Sequence, residues 1–193
     1  FGLGGSNGLN SDNQIDDATM AANFSWFKSS SSTIKFGAQI KNLGFLYTNS
    51  FNDSLQFKID TKPKEYASFV KLKYSPSEKF ILEPGIRINL YNVYSDSIFP
   101  DLRFGTKYLL TDDRYINFSV GNYHQFIATF QDDYNPTILD QWIAVDNTVA
   151  PAKSSQIVLG YEEYINDLYK LQVEGYYKDI KNLFTFEESR STT

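Results

Sequence analysis

A chain of 193 residues is long enough for one domain with a sizeable core. It contains no Cys, which removes disulfides, thiolate metal sites and cysteine nucleophiles together, and its formal net charge of −5 argues against nucleic acid as the main partner. No apolar run approaches the ~20 residues of a transmembrane helix.

Along the chain, alternation with period two is common and helical periodicity is hard to find. Strands are expected over residues 18–28, 33–42, 66–74, 80–91, 100–108, 115–127, 154–164 and 169–180. Most are near the ~9–11 residues with which a tilted strand crosses a bilayer. The first is the least distinct, because Ala, Thr and Asn blur its faces. In TIKFGAQIK the apolar set Ile34, Phe36, Ala38 and Ile40 opposes Lys35, Gln39 and Lys41. In FILEPGIRINLY, Phe80, Leu82, Ile86, Ile88 and Leu90 oppose Glu83, Arg87 and Asn89, and Pro84 predicts a bulge. In DLRFGTKY, Leu102, Phe104, Thr106 and Tyr108 oppose Arg103 and Lys107. In YINFSVGNYHQF, Ile116, Phe118 and Val120 oppose Asn117, Ser119, Tyr123 and Gln125, and parity sets His124 on the apolar side. In SSQIVLGYEEY, Ile157, Leu159 and Tyr161 oppose Gln156 and Glu162, and in LQVEGYYKDIKNL, Leu171, Val173 and Tyr177 oppose Glu174 and Lys178.

The connections alternate in length. SSSS, SPSEK, LLTDDR and INDL are tight turns. Between them lie longer segments over residues 43–65, 92–99 and 128–153. In an antiparallel meander this puts every short turn at one end and every long loop at the other, as in outer-membrane barrels. Mid-strand charges stay off the apolar face, where each would cost roughly 2–4 kcal/mol against lipid. Tyr66, Tyr74, Tyr108, Tyr161, Tyr169 and Tyr177 sit near the ends of apolar faces, as interfacial girdles do. The expected fold class is all-β, an antiparallel up-and-down meander of a transmembrane β-barrel. A small stand-alone outer-membrane barrel and a soluble β-sandwich binding module are the alternatives.

The runs EYASFVKLKYSPSEKFILEPGIRINLY, FPDLRFGTKYLLTDDRYINFSVGNYHQF and SSQIVLGYEEYINDLYKLQVEGYYKDIKNL resemble the barrel of TonB-dependent outer-membrane receptors. The likeness covers residues 65–183 and rests on the order and spacing of the motifs. It implies a barrel of about 22 strands around a plug, which takes up a scarce nutrient such as an iron chelate with TonB-transmitted energy, and it makes residues 1–193 a section of that large transmembrane β-barrel. The implied partners are outer-membrane lipid, the plug of the same polypeptide, TonB through a missing N-terminal part, and a small-molecule ligand such as a metal chelate. The start FGLGGSNG and the end ESRSTT then read as cuts within a longer barrel.

No catalytic set or cofactor is expected. His124 is the only histidine, which excludes a His metal cluster, and no Gly-x-Ser-x-Gly elbow accompanies it. An outer-membrane hydrolase would have to depend on His124. NSDNQIDDAT lacks the Gly and terminal Glu of a Ca²⁺ loop. The candidate ligand-binding residues are Asp132, Asp133 and Trp142 in the long loop, with Arg87, Arg103, Tyr123 and Gln125 facing the lumen.

Overall fold

In a computed structural model the chain is described over residues 8–52, 54–93, 98–130, 141–145, 150–166 and 168–183. Its strands are β1 (Leu9–Ser29), β2 (Ser32–Phe51), β3 (Ser54–Thr61), β4 (Lys64–Ser77), β5 (Phe80–Tyr91), β6 (Ile98–Thr111), β7 (Arg114–Gln125), β8 (Ile127–Phe130), β9 (Gln141–Ala144), β10 (Ala152–Ile165) and β11 (Tyr169–Lys181). Among the described residues there is no helix. The main sheet runs β1-β2-β4-β5-β6-β7-β10-β11, antiparallel throughout, and curls into a half-barrel. All eight expected strands are present. Short turns at Ser30–Ser31, Glu78–Lys79 and Asp112–Asp113 fall at one end, as does the Asn166 turn, whose φ of 52° suits Asn.

The two alternating faces have different fates. On the convex face Leu102, Phe104, Val120, Ile157 and Leu159 are exposed, with Leu102 at 59% and Leu159 at 58%. The mid-strand ion pairs of the concave face include Lys71–Glu83 at 2.9 Å, Arg87–Glu65 at 3.6 Å and Lys107–Glu162 at 3.6 Å, whereas Arg114–Glu163 lies beside a turn. Each of the three mid-strand pairs joins different strands, so these charges brace the wall from inside.

Three expectations are corrected. Residues 43–65 are not simply a loop. β2 continues to Phe51, and β3 folds back on its upper half, pairing over Phe45–Phe51 after β4 has paired over Ser32–Asn42. β1 and β2, at 21 and 20 residues, therefore overshoot the length needed to span a bilayer. The connection after β7 likewise holds a hairpin, β8–β9. Pro84 causes no bulge. The β5–β6 ladder runs unbroken past it, while the β4–β5 ladder skips Leu72 and Lys73 and resumes in the same register. The missing Pro donor thus costs paired positions on one side only, and the register shift falls lower, between Tyr74 and Ser77.

Gly37 shows how closely the strands approach. It lies opposite Phe69, and an added Cβ would stand 2.5 Å from the Ala22 carbonyl oxygen and 2.8 Å from the Phe69 ring. The ring covers bare backbone, a known device for glycine in a sheet. Gly37→Val is expected to cost about 1–3 kcal/mol by overpacking, read from the denaturation midpoint of the whole protein in detergent. Phe69→Ala should not rescue it, because the nearest obstacle is backbone; full rescue would show that the ring alone excludes the side chain.

Candidate functional site

The concave wall is polar in its middle and apolar above. Towards the long-loop end, residues with the same parity as the lumen charges become Leu43, Phe45, Tyr47 and Tyr91, all buried. They are covered by the chain leaving β7. Phe126 stacks on Tyr91 with centroids 4.8 Å apart and meets Phe99 edge-on at 5.1 Å. Val145, at the end of β9, is 2% exposed, and its N–H donates to the Phe126 carbonyl at 3.0 Å. β9 lies against β1 and β2, so the hairpin base reaches across the inner mouth of the half-barrel.

Below this core runs a polar network over β2, β4, β5, β6 and β7. The Arg87 guanidinium donates to Asn89 Oδ1 at 2.7 Å and to Gln39 Oε1 at 3.1 Å, beside Glu65. Asn89 donates to Asp101 Oδ2 at 3.0 Å and to the Phe99 carbonyl at 3.2 Å. Asn89 and Asp101 are each 2% exposed. His124 Nδ1 lies 2.7 Å from Asp101 Oδ1. Arg103 is 3.8 Å from Asp101 Oδ2 and sits over the Tyr123 ring at 4.4 Å.

His124 is therefore not on the outer face with Phe118 and Val120, as parity suggested. The β6–β7 ladder ends at Arg103↔Gly121. The Asn122 side chain then replaces a strand, accepting from the Leu102 N–H at 2.9 Å and donating to the Pro100 carbonyl at 2.9 Å. Beyond that point β7 parts from β6, and His124 turns into the opening towards Asp101. It is 11% exposed there and packs beside Phe99. Its ring is held within the wall, which gives a hydrolase no open nucleophile–base pair.

Of the candidate residues, Arg87, Arg103 and Tyr123 come together. They line a hollow of about 410 Å³ with Lys71, Glu83 and Ser119, floored by Gly85 and Gly105. Their availability differs. Arg87 is 23% exposed and its donors are engaged, whereas Arg103 is 44% exposed and offers a cation stacked on an aromatic face. Gln125 stands apart, its Nε2 donating to the Ile127 carbonyl at 2.7 Å. Trp142 is on β9 by its backbone, and its side chain lies outside what is described; Asp132 and Asp133 lie outside the described residues. Sequence reasoning missed Asp101, Asn122 and the bridging role of Asn89. Parity placed Asn89 on the polar face, and Asp101 shares the parity of Arg103, but nothing in either strand alone signals that the two are buried together. Among the described residues no group of three His, Asp or Glu is placed to hold a metal ion.

No protein-family model and no curated protein matches the chain. Solved structures do. The siderophore receptor PirA from Pseudomonas aeruginosa is similar at a TM-score of 0.68 and 11% identity, over 90% of this chain and 34% of that one. The ferric yersiniabactin uptake receptor FyuA from Yersinia pestis gives 0.65 and 14%, over 92% and 30%. The copper transporter OprC gives 0.60 and 13%, over 90% and 31%. The chain thus spans about a third of the length of each. At these identities the likeness is one of fold, and it extends over nearly the whole meander. The chain has the fold of a section of the barrel wall of these receptors, the fold that its resemblance to TonB-dependent outer-membrane receptors implied.

Proposed function

We propose that the chain is a wall segment of an outer-membrane active transporter that takes up a scarce nutrient, such as an iron chelate, with energy transmitted by TonB. The observation that carries this reading is the division between the faces. The convex face is apolar and exposed across successive strands, whereas the concave face holds interstrand ion pairs and a buried hydrogen-bond network. An apolar surface of this extent marks contact with lipid or protein. A soluble sandwich would need a second layer over it, and among the described residues none is present. A stand-alone barrel would pair β1 with β11; they are the two ends of the sheet and are not paired.

In this reading the convex face meets outer-membrane lipid. The concave face meets the plug of the same polypeptide, which engages TonB through its N-terminal part. Arg103 on Tyr123 is the wall feature open to an anionic, metal-chelating ligand, and the long loops, with Asp132, Asp133 and Trp142, make the first capture. No bond of the ligand is made or broken by this segment.

The test is an immunoblot of fractionated source cells with an antibody against residues 131–156. A band several times larger than this chain in the outer membrane is expected; a band in the soluble fraction would refute the reading. Lipid contact has its own test. Val120→Arg is expected to cost about 2–4 kcal/mol of barrel stability, while Ser119→Arg, one residue along and facing the lumen, costs little. Equal losses from the two would mean that both faces are packed against protein.

A further inference from the structure

β6 and β7 are paired only up to Arg103↔Gly121. Above that level β6 still pairs with β5 as far as Ile98, and β7 still pairs with β10 as far as Gln125. Residues 98–102 and 122–125 thus belong to the sheet but share no ladder, which leaves a seam in the wall. Pro100 accounts for it. The Leu102 N–H and the Pro100 carbonyl both point towards β7, where the Asn122 side chain bonds each at 2.9 Å. A ladder continued in register would set Pro100 opposite His124, and Pro100 has no N–H to give there. Side chains close the seam instead: Asn122 across its lower end, then His124 on Asp101 with Phe99 beside it.

Two hollows meet at the foot of the seam. The lumen-side hollow of about 410 Å³ holds Arg103 over Tyr123. On the convex side a hollow of about 930 Å³ lies among Ile86, Leu102, Phe104, Val120 and Ile157 and reaches Asn122. Arg103, Phe104 and Val120 border both, so the sheet's own thickness divides them. The two lips of the seam differ on the convex side. Ile98 and Leu102 are exposed on one, and on the other lie Lys153 and Ser155, also exposed, beside His124 and Asn122. The seam therefore opens where the apolar band gives way to polar residues. An unladdered strand edge at membrane depth is tolerated where it lines a cavity or is covered by protein.

We propose that the β6–β7 seam is a lateral opening through the wall, and that the ligand is an amphiphile: its anionic head sits on Arg103 and its alkyl tail threads the seam into the convex hollow. The inference rests on the transporter reading above and names the ligand class for it. A tail left in the lumen would keep its apolar surface in water, whereas through the seam it is buried among apolar side chains. Opening breaks no main-chain bond between the two strands. It needs only the Asn122 bridge and the His124–Asp101 contact to give way.

The test uses the whole protein in lipid nanodiscs, with dodecanoic acid as the probe. One form carries a photoreactive diazirine beside the carboxylate, the other at the far end of the chain. After irradiation, digestion and mass spectrometry, the first form is expected to mark lumen residues such as Ser119 and Tyr123. The second is expected to mark convex residues such as Leu102 and Val120, and to lose most of that marking in Arg103→Ala. Pro100→Val returns the missing N–H and lets the ladder close, so it should move the far-end mark into the lumen. Convex marking that Arg103→Ala leaves unchanged would mean that the probe lies in the bilayer, and a far-end mark already in the lumen of the unaltered protein would mean that no tail passes the wall. Either result, or a far-end mark unmoved by Pro100→Val, would overturn the inference while leaving the receptor reading in place. Recovery of the protein in the soluble fraction of its source cells would overturn both.

Discussion

Asp101→Ala is expected to destabilise the wall by about 3–5 kcal/mol, the loss typical when one member of a buried charged network is removed. Asp101 is 2% exposed and accepts from Asn89 at 3.0 Å, with His124 at 2.7 Å. Removing it strands donors that water does not reach, each at a cost of about 1–3 kcal/mol. Asp101→Asn should lose less, because one oxygen remains to accept, although its amide then confronts another donor. The measurement is the urea midpoint of the purified whole protein in detergent. Wild-type stability in Asp101→Ala would show that water enters the network and replaces the carboxylate. Arg103→Ala gives the contrasting result: its guanidinium is exposed and stacked, so it should affect ligand binding more than stability.

Phe126→Ala is expected to release the hairpin base from the inner mouth. The ring is 4% exposed and is held between Tyr91 and Phe99. Truncating a buried Phe costs about 3–5 kcal/mol. The loss should be local, because the barrel ladders below do not depend on this ring. Hydrogen exchange reads it directly. The Val145 N–H, bonded to the Phe126 carbonyl at 3.0 Å, should exchange roughly a hundredfold to a few thousandfold faster, since each 1.4 kcal/mol is tenfold. Amides in the middle of β5 and β6 should keep their protection. If those central amides exchange faster by the same factor, the aromatic core supports the whole wall rather than its mouth.

The sequence by itself determined the eight strands of the meander, their two faces and the segregation of short turns from long connections, but not β3 or the β8–β9 hairpin. Successive Cβ atoms point to opposite sides of a strand, so Ile86 against Arg87 or Phe104 against Arg103 is a local property, readable without knowing any neighbour. Turn residues such as Asn166 are equally local. The tertiary structure alone decided what depends on where two strands part. The β6–β7 ladder stops at Gly121, Asn122 occupies the gap, and His124 turns inward to Asp101, against its parity. Likewise Leu43, Phe45 and Tyr47 carry no sign in sequence of the Phe126 and Val145 that help close their end of the wall, because those partners lie some eighty to a hundred residues away. Parity predicts a side chain's face only while both neighbouring ladders hold; beyond their ends, long-range packing chooses the side.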